Sequence, residues 1–365
     1  MFSEQDFAHM RRALALAEQA MFTTTPNPRV GCVIVQDERV IGEGFTQPAG
    51  QDHAEVQAMK DARARGETLR GATAYVTLEP CSHYGRTPPC AKGLIEAGVK
   101  RVIAAMEDPN PVVAGRGLAM LRDAGVDVRC GLLEQEAREM NIGFVARMTR
   151  GTPWVRLKVA ASLDGKTALN NGASQWITGA AARADGHAWR ARACAILTGI
   201  GTVREDDPSL TVREVQTTRQ PLRIVVDSHL DISPAARVLA DGNALVVCAD
   251  GDAARVARLR DLGVEVLDLP NANGKVELPA LLRVLGERQL NEIHVEAGYK
   301  LNGSLLREHC VDELLAYFAP CILGDAQGMF HLPALSSLDD KLTLRFTDVR
   351  TIDNDLRVMA RLMQH

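Results

Sequence analysis

Aromatic side chains make up only 4% of this 365-residue chain. That excludes the usual platform for single-stranded nucleic acid, a basic channel lined with rings on which bases stack. Positive charge is also lacking. The formal charge is −4 and the pI is near 6.2, so there is no broad attraction to nucleic acid or to an anionic membrane. No apolar run approaches the length that crosses a bilayer. There is no internal repeat, no low-complexity tract, and no G-x-G-x-x-G after a strand, which argues against a Rossmann dinucleotide site. The opening MFSEQDFAHMRRALALAEQA has an early acidic pair and no apolar core, unlike a signal peptide. Phe7, Met10, Ala13, Leu14 and Ala17 recur at helical spacing there. A cytoplasmic protein is expected.

What is present is an ordinary globular composition, 46% hydrophobic and 24% charged, at a length that suits two domains. Eight cysteines occur, and without an export signal they read as reduced thiols or metal ligands. Most sit in apolar runs, such as Cys32 in VGCVIV and Cys248 in ALVVCAD, and read as small buried hydrophobes. Cys81 and Cys90 differ, because they lie in a polar loop punctuated by Pro and Gly, EPCSHYGRTPPC.

Strand and helix patterns alternate. Residues 29–36 and 39–44 predict a hairpin around Asp37-Glu38, residues 53–64 a helix and 73–78 a strand. Pro88-Pro89 opens a helix that Gly98 stops. A strand over 101–106, a helix over 117–124 and a strand over 126–129 complete a three-layer α/β pattern. A turn-rich, basic stretch, Arg147 to Pro153, marks a boundary. Beyond it, strands are predicted near 154–161, 195–197, 222–227, 244–249, 264–267, 292–296, 313–318, 342–349 and 356–362, with helices between them.

The chemistry concentrates in His53, Glu55, Cys81 and Cys90. A catalytic zinc typically takes three protein ligands and leaves one position to water. His53, Cys81 and Cys90 supply a neutral imidazole and two thiolates. The metal lowers the water's pKa towards roughly 7, giving a nucleophile at neutral pH. Glu55, two residues after His53 at a helix start, is placed to shuttle protons. His-x-Glu followed by Pro-Cys is the logic of the zinc nucleobase deaminases. Cys90 falls in the first helical turn, where free N–H groups and the dipole favour a thiolate. The usual Pro-Cys-x-x-Cys is replaced here by eight intervening residues, SHYGRTPP. A structural zinc protein is the rival reading, with His83 as the fourth ligand. A deaminase of nucleic acid or free nucleosides is another.

LEPCSHYGRTPPC (Leu78–Cys90) resembles the pyrimidine deaminase of bacterial riboflavin biosynthesis. TPNPRVG (25–31), His53-Ala54-Glu55 and DPNP (108–111) agree with it. In the second half AASLDG (160–165), SQWIT (174–178), TVREDDP (202–208) and VEAG (295–298) agree as well. The whole chain thus resembles the bifunctional deaminase-reductase family. The resemblance implies a cytidine-deaminase-like α/β/α domain over 1–148 and a dihydrofolate-reductase-like α/β domain over 151–365. It implies zinc and NADPH as cofactors. The implied reactions are hydrolytic deamination of 2,5-diamino-6-ribosylamino-4(3H)-pyrimidinone 5′-phosphate, then reduction of its ribosyl group to ribityl. Small pyrimidine phosphates are the expected partners, with no nucleic acid and no membrane, in a homo-oligomer.

Asn27 reads either as a pyrimidine contact or as a turn residue, and His83 and Arg86 either as phosphate contacts or as solvated loop. Two glycine turns in the second part, Gly199-Ile200-Gly201 and Gly298 to Gly303, suit close approach of backbone amides to a pyrophosphate. By resemblance, Ala160, Trp176, Thr202, Asp206, Ser228 and the run Gly298, Tyr299, Lys300, Leu301, Asn302, Gly303 and Ser304 line the cofactor site. Ser174, Arg190, Leu210, Arg213 and Glu296 face the substrate. Guanidinium groups suit its phosphate. Lys158 and Asp206 are both candidates for the reductive proton donor.

Overall fold

In the computed structural model, which describes residues 1–83 and 88–363, the chain divides into two units, Met1–Gly151 and Thr152–His365. The first opens with α1 (Glu4–Gln19), started by a Ser3/Asp6 capping box. The hairpin β1 (Gly31–Gln36) and β2 (Arg39–Phe45) follows. Its turn residues, Asp37 and Glu38, both have positive φ, 49° and 63°, the conformation of the two-residue turn that matches strand twist. Next come α2 (Ala54–Ala64), β3 (Thr73–Val76), α3 (Cys90–Glu96), β4 (Arg101–Ala104), α4 (Arg116–Asp123), β5 (Asp127–Cys130), α5 (Glu134–Met140) and α6 (Ile142–Arg150). The sheet order is β2-β1-β3-β4-β5.

Glycines set how closely the helices lie on this sheet. A Cβ on Gly31 would stand 1.8 Å from the Ala13 carbonyl oxygen of α1. One on Gly44 would stand 2.5 Å from the Ala58 nitrogen of α2. Gly44 pairs with Cys32 and Gly31 with Phe45, so the two glycines point to opposite faces. α1 and α2 therefore cover opposite sides, as the three-layer reading expects.

The basic stretch at 147 is not yet a turn. Residues 147–150 are the last turn of α6, where Arg147 and Arg150 favour the dipole, and the helix stops at Gly151 with φ 76°.

The second unit runs β6 (Trp154–Ser162), β7 (Lys166–Ala168), α7 (Ala180–Arg192), β8 (Ala195–Gly199), α8 (Ile200–Asp206), β9 (Leu222–Val226), β10 (Ala244–Cys248), α9 (Ala253–Asp261) and β11 (Glu265–Asp268). It continues with α10 (Leu278–Glu287), β12 (Glu292–Val295), α11 (Tyr299–Arg307), β13 (Glu313–Ala319), β14 (Gln327–Gly328), β15 (Leu344–Ile352) and β16 (Asp355–Leu362). Nine strands form one sheet, β11-β10-β9-β8-β12-β6-β13-β16-β15. Strands β11 through β13 in that order are mutually parallel, and β16 and β15 are antiparallel additions. Buried on both faces, the inner strands read as near-continuous apolar runs. From β8 the chain proceeds towards β11, and from β12 it proceeds the other way to β13. The crevice beyond the C-terminal ends of β8 and β12 is thus the topological switch point, where ligands bind in open α/β sheets.

Candidate functional site

In the first unit, His53 is the N-cap of α2, and its side chain is not spent on capping that helix. Glu55 lies in the first turn and is buried. Cys81 follows β3 and Glu79-Pro80, and Cys90 is the first residue of α3. His53 Nδ1 stands 3.7 Å from Cys81 Sγ and 3.4 Å from Cys90 Sγ. All three ligand atoms lie within 4.8 Å of one another. Tetrahedral zinc, with Zn–S near 2.3 Å and Zn–N near 2.0–2.1 Å, sets N···S separations of about 3.6 Å. The donor set therefore fits zinc. Among the described residues no fourth His, Cys, Asp or Glu joins the cluster. His83 is exposed and stands apart from it. Arg86 lies outside the described residues.

The charge distribution corrects one expectation. The helix N-terminus serves the other cysteine: the Cys90 N–H donates to Cys81 Sγ at 3.2 Å. The Cys90 thiol, His53 and that N–H together bring the Cys81 thiol well below its usual range. Its charge, burial and Glu55 push the Cys90 thiol up. The two sulfurs therefore oppose each other's ionisation, and a bound cation favours both thiolates. Burial first, then the Cys81 charge, raises the Glu55 carboxyl to about 7, the range in which a group both takes and returns a proton near neutral pH. Asn27 sits half-buried in the turn before β1, its N–H bonded to the Thr24 carbonyl at 2.9 Å. That segment is pinned by Asn141, whose side chain accepts from the Arg29 N–H at 2.7 Å and donates to the Arg29 carbonyl at 2.9 Å.

In the second unit both glycine turns meet at the switch point. Gly199 caps α8 and Gly298 caps α11. A Cβ on Gly298 would lie 3.6 Å from Thr202 Oγ1, and one on Gly199 3.1 Å from Leu301 Cδ2. Two helix starts and their free N–H groups thus flank the crevice, an arrangement that fits a dinucleotide pyrophosphate. Several residues of α11, from its first turn onward, are engaged within the protein. Asn302 is buried and donates to the Met329 carbonyl, and a Cβ on Gly303 would stand 2.1 Å from the His331 carbonyl oxygen. Tyr299 meets the His331 ring edge-on, Lys300 is exposed, and Ser304 Oγ bonds the Lys300 carbonyl. Ser228 follows β9, and its carbonyl accepts from the Ala249 and Asp250 N–H groups. Trp176 is 70% exposed with the Arg183 guanidinium 4.6 Å over its ring. Ser174 is half-buried in the same segment.

Of the expected substrate residues, Arg190 and Glu296 are brought together, and Leu210 and Arg213 flank the Thr211 that Arg190 reaches. Arg190 forms a two-pronged pair with the Glu296 carboxylate and donates to the Thr211 carbonyl at 3.1 Å. Its guanidinium is therefore partly committed within the protein. Exposed Arg213 reaches Ser209 and Thr211, each at 3.1 Å, and follows buried Leu210, whose φ is 48°. Lys158 Nζ lies 3.9 Å from Glu296, near Ala160 on the same β6 face. Burial raises the Glu296 carboxyl, but Arg190, Lys158 and His294 more than offset this and hold it well below the usual range. Burial and Arg190 lower the Lys158 ammonium, against the pull of Glu296. Asp206 is exposed at the end of α8 and accepts from Gln175 at 3.1 Å.

Sequence reasoning missed His294, wholly buried with Nε2 3.4 Å from Glu296, and also Glu79. The signal for His294 was the alternation of Glu292, His294 and Glu296 in one strand, a polar face within an apolar sheet.

Residues 153–358 match the family described as RibD C-terminal domain. Residues 3–106 match the cytidine and deoxycytidylate deaminase zinc-binding region. The chain is 48% identical to the riboflavin biosynthesis protein RibD of Escherichia coli K12, over 96% of this chain and 98% of that one. A solved structure of Acinetobacter baumannii RibD is similar at TM-score 0.91 and 42% identity, covering 99% of each chain. A Thermotoga maritima structure described as a diaminohydroxyphosphoribosylaminopyrimidine deaminase/5-amino-6-(5-phosphoribosylamino)uracil reductase is similar at TM-score 0.88 and 34% identity, covering 98% of this chain and 99% of that one.

Proposed function

The chain belongs to the RibD family, bifunctional riboflavin biosynthesis enzymes that join a zinc-dependent deaminase to an NADPH-dependent reductase, and on that premise we propose which residues carry each half-reaction and on what substrate. Residues 1–148 deaminate 2,5-diamino-6-ribosylamino-4(3H)-pyrimidinone 5′-phosphate, and residues 151–365 reduce the ribosyl group of the product to ribityl. The observation that carries this reading is the convergence of His53, Cys81 and Cys90 beside buried Glu55.

Zinc, held by His53, Cys81 and Cys90, supplies the Lewis acidity that makes water nucleophilic at neutral pH. Glu55 would take a proton from the water that adds to the amidine carbon. It passes the proton to the ring nitrogen and then serves the departing amine, which leaves as ammonia. Asn27 hydrogen-bonds the pyrimidine.

In the reductase, NADPH supplies the hydride. Ala160, Trp176, Thr202, Asp206, Ser228 and the start of α11 at Gly298 orient it. Ser174, Leu210, Arg213 and the Arg190–Glu296 pair hold the substrate. The acceptor would be C1′ of the open-chain imine, and a residue of this chain must deliver a proton to the imine nitrogen. Of the two candidate donors we assign Lys158. It stands beside Glu296 in a half-buried setting that lowers its pKa, whereas Asp206 is exposed and already engaged with Gln175.

The partners are small pyrimidine phosphates, not nucleic acid or membrane, in the cytoplasm. No helix among the described residues is long and apolar enough to cross a membrane. A homo-oligomer is supported by β15, a sheet-edge strand with Leu344, Phe346 and Val349 exposed, an arrangement that invites pairing with another chain.

The test is metal analysis of the purified protein with a coupled assay on the pyrimidine phosphate. Bound zinc, ammonia release without NADPH, and NADPH oxidation only after deamination are expected. Deamination of cytidine or tRNA with no turnover of the pyrimidine phosphate would overturn the assignment.

A further inference from the structure

Glu79 stands two residues before the ligand Cys81, and its carboxylate is buried. It accepts four backbone N–H groups. Oε2 takes those of Asp108 at 3.0 Å and Gly115 at 2.9 Å, and Oε1 those of Gly117 at 2.7 Å and Leu118 at 3.3 Å. Bonds to an ionised acceptor are the strong kind. The donors come from the two ends of one loop. Asp108 is where the chain leaves β4, and Gly115 to Leu118 is where α4 begins. One side chain therefore closes the loop 108–115 and sits at a helix start, where the dipole favours negative charge.

The loop is also tied to the metal cluster. A Cβ on Gly117 would stand 1.9 Å from the Pro80 carbonyl oxygen, so α4 rests directly on the residue before Cys81. Within the loop, Asp108 Oδ1 accepts from the Asn110 N–H at 2.9 Å, and Asn110 Oδ1 from the Val112 N–H at 3.0 Å. The loop is thus tied, through Glu79 and Pro80, to the segment that carries Cys81 into the cluster, by an acid that is not itself one of the three ligands.

We propose that Glu79 is a positioning residue for deamination, holding the loop 108–115 as a preformed wall of the pyrimidine pocket beside His53, Cys81 and Cys90. The proposal rests on the deaminase reading of that site. A preformed wall spares the substrate the cost of ordering the loop, so Glu79 acts on binding more than on the chemical step.

The test is Glu79→Gln in the full chain. An amide puts an NH2 group where an oxygen faced two N–H donors, so the loop loses its closure while side-chain size is kept. Full zinc content and unchanged reductase turnover are expected. The KM for the pyrimidine phosphate should rise about tenfold or more, with kcat held within about threefold. Amides 108 and 115–118 should lose hydrogen-exchange protection. A wild-type KM overturns the proposal, as does loss of zinc or a fall in kcat at constant KM. If the variant does not fold, Gly115→Ala strains the same loop at φ 75°, with no atom nearer than 3.9 Å to the new methyl. It should raise KM with zinc retained, and a wild-type KM there overturns the proposal too. Failure of the wild-type enzyme to deaminate would instead remove the deaminase reading itself.

Discussion

Glu55 and Glu296 are both carboxylates withdrawn from water, yet their surroundings push them in opposite directions. Burial and the Cys81 charge raise the first to about 7. Burial also raises the second, but Arg190 outweighs it and keeps Glu296 ionised. In the proposed mechanism the raised acid moves protons, and the ionised one stands beside the donor Lys158. As donor, Lys158 must be protonated, and its pKa lies below the ordinary 10.5. Reductase turnover should therefore fall on an alkaline limb centred below pH 10.5. Lys158→Met should lower turnover by about a hundredfold or more and abolish the limb, whereas Asp206→Asn should keep it. Stopped-flow rates across pH decide between them. The types of these residues were legible in the sequence, but their partners were not. Arg190 and Glu296 are 106 residues apart, and no local spacing shows that a cation read as a phosphate ligand is shared with a carboxylate. Likewise, a helix start just before Cys90 pointed to that thiol, while the turn of the backbone gives its N–H to Cys81.

At the scale of elements, the site depends on how closely α2 lies on the β1–β2 hairpin, since α2 carries both His53 and Glu55. Gly44 permits that approach. Gly44→Ala would press a methyl against the Ala58 nitrogen at 2.5 Å, costing about 2 kcal/mol and loosening zinc. Urea unfolding and zinc stoichiometry measure both effects, and wild-type values for each would show that α2 can lie further out without loss. Strands were the most legible elements, because short apolar runs such as AILTG and ALVVC have few other uses. The turn at Asp37-Glu38 was also legible, as a break between two runs, although neither residue announces a positive φ. The extent of α6 was not, because Arg147 and Arg150 look like a basic linker until the last helical turn and Gly151 explain them.

At the level of the whole molecule, the two centres should be separable. A fragment beginning at Gly151 should fold and bind NADPH by calorimetry, and a folded fragment without affinity would contradict the division at 148–151. The exposed face of β15 gives a second expectation at this scale. The full chain should sediment as an oligomer, and Phe346→Arg should shift it towards monomer, whereas a monomeric wild type would remove the reading. That two catalysts share the chain was legible from motifs in each half, and the clustering of His53, Cys81 and Cys90 was legible from residue type and order. The wall held by Glu79 was not, because backbone donors leave no mark in a sequence. The most direct test of the central claim is Glu55→Gln, assayed for zinc and for each half-reaction separately. Zinc should remain, deamination should fall by about a hundredfold or more, and reduction of supplied amino-uracil phosphate by NADPH should continue at the wild-type rate. Unchanged deamination in that variant would contradict the account.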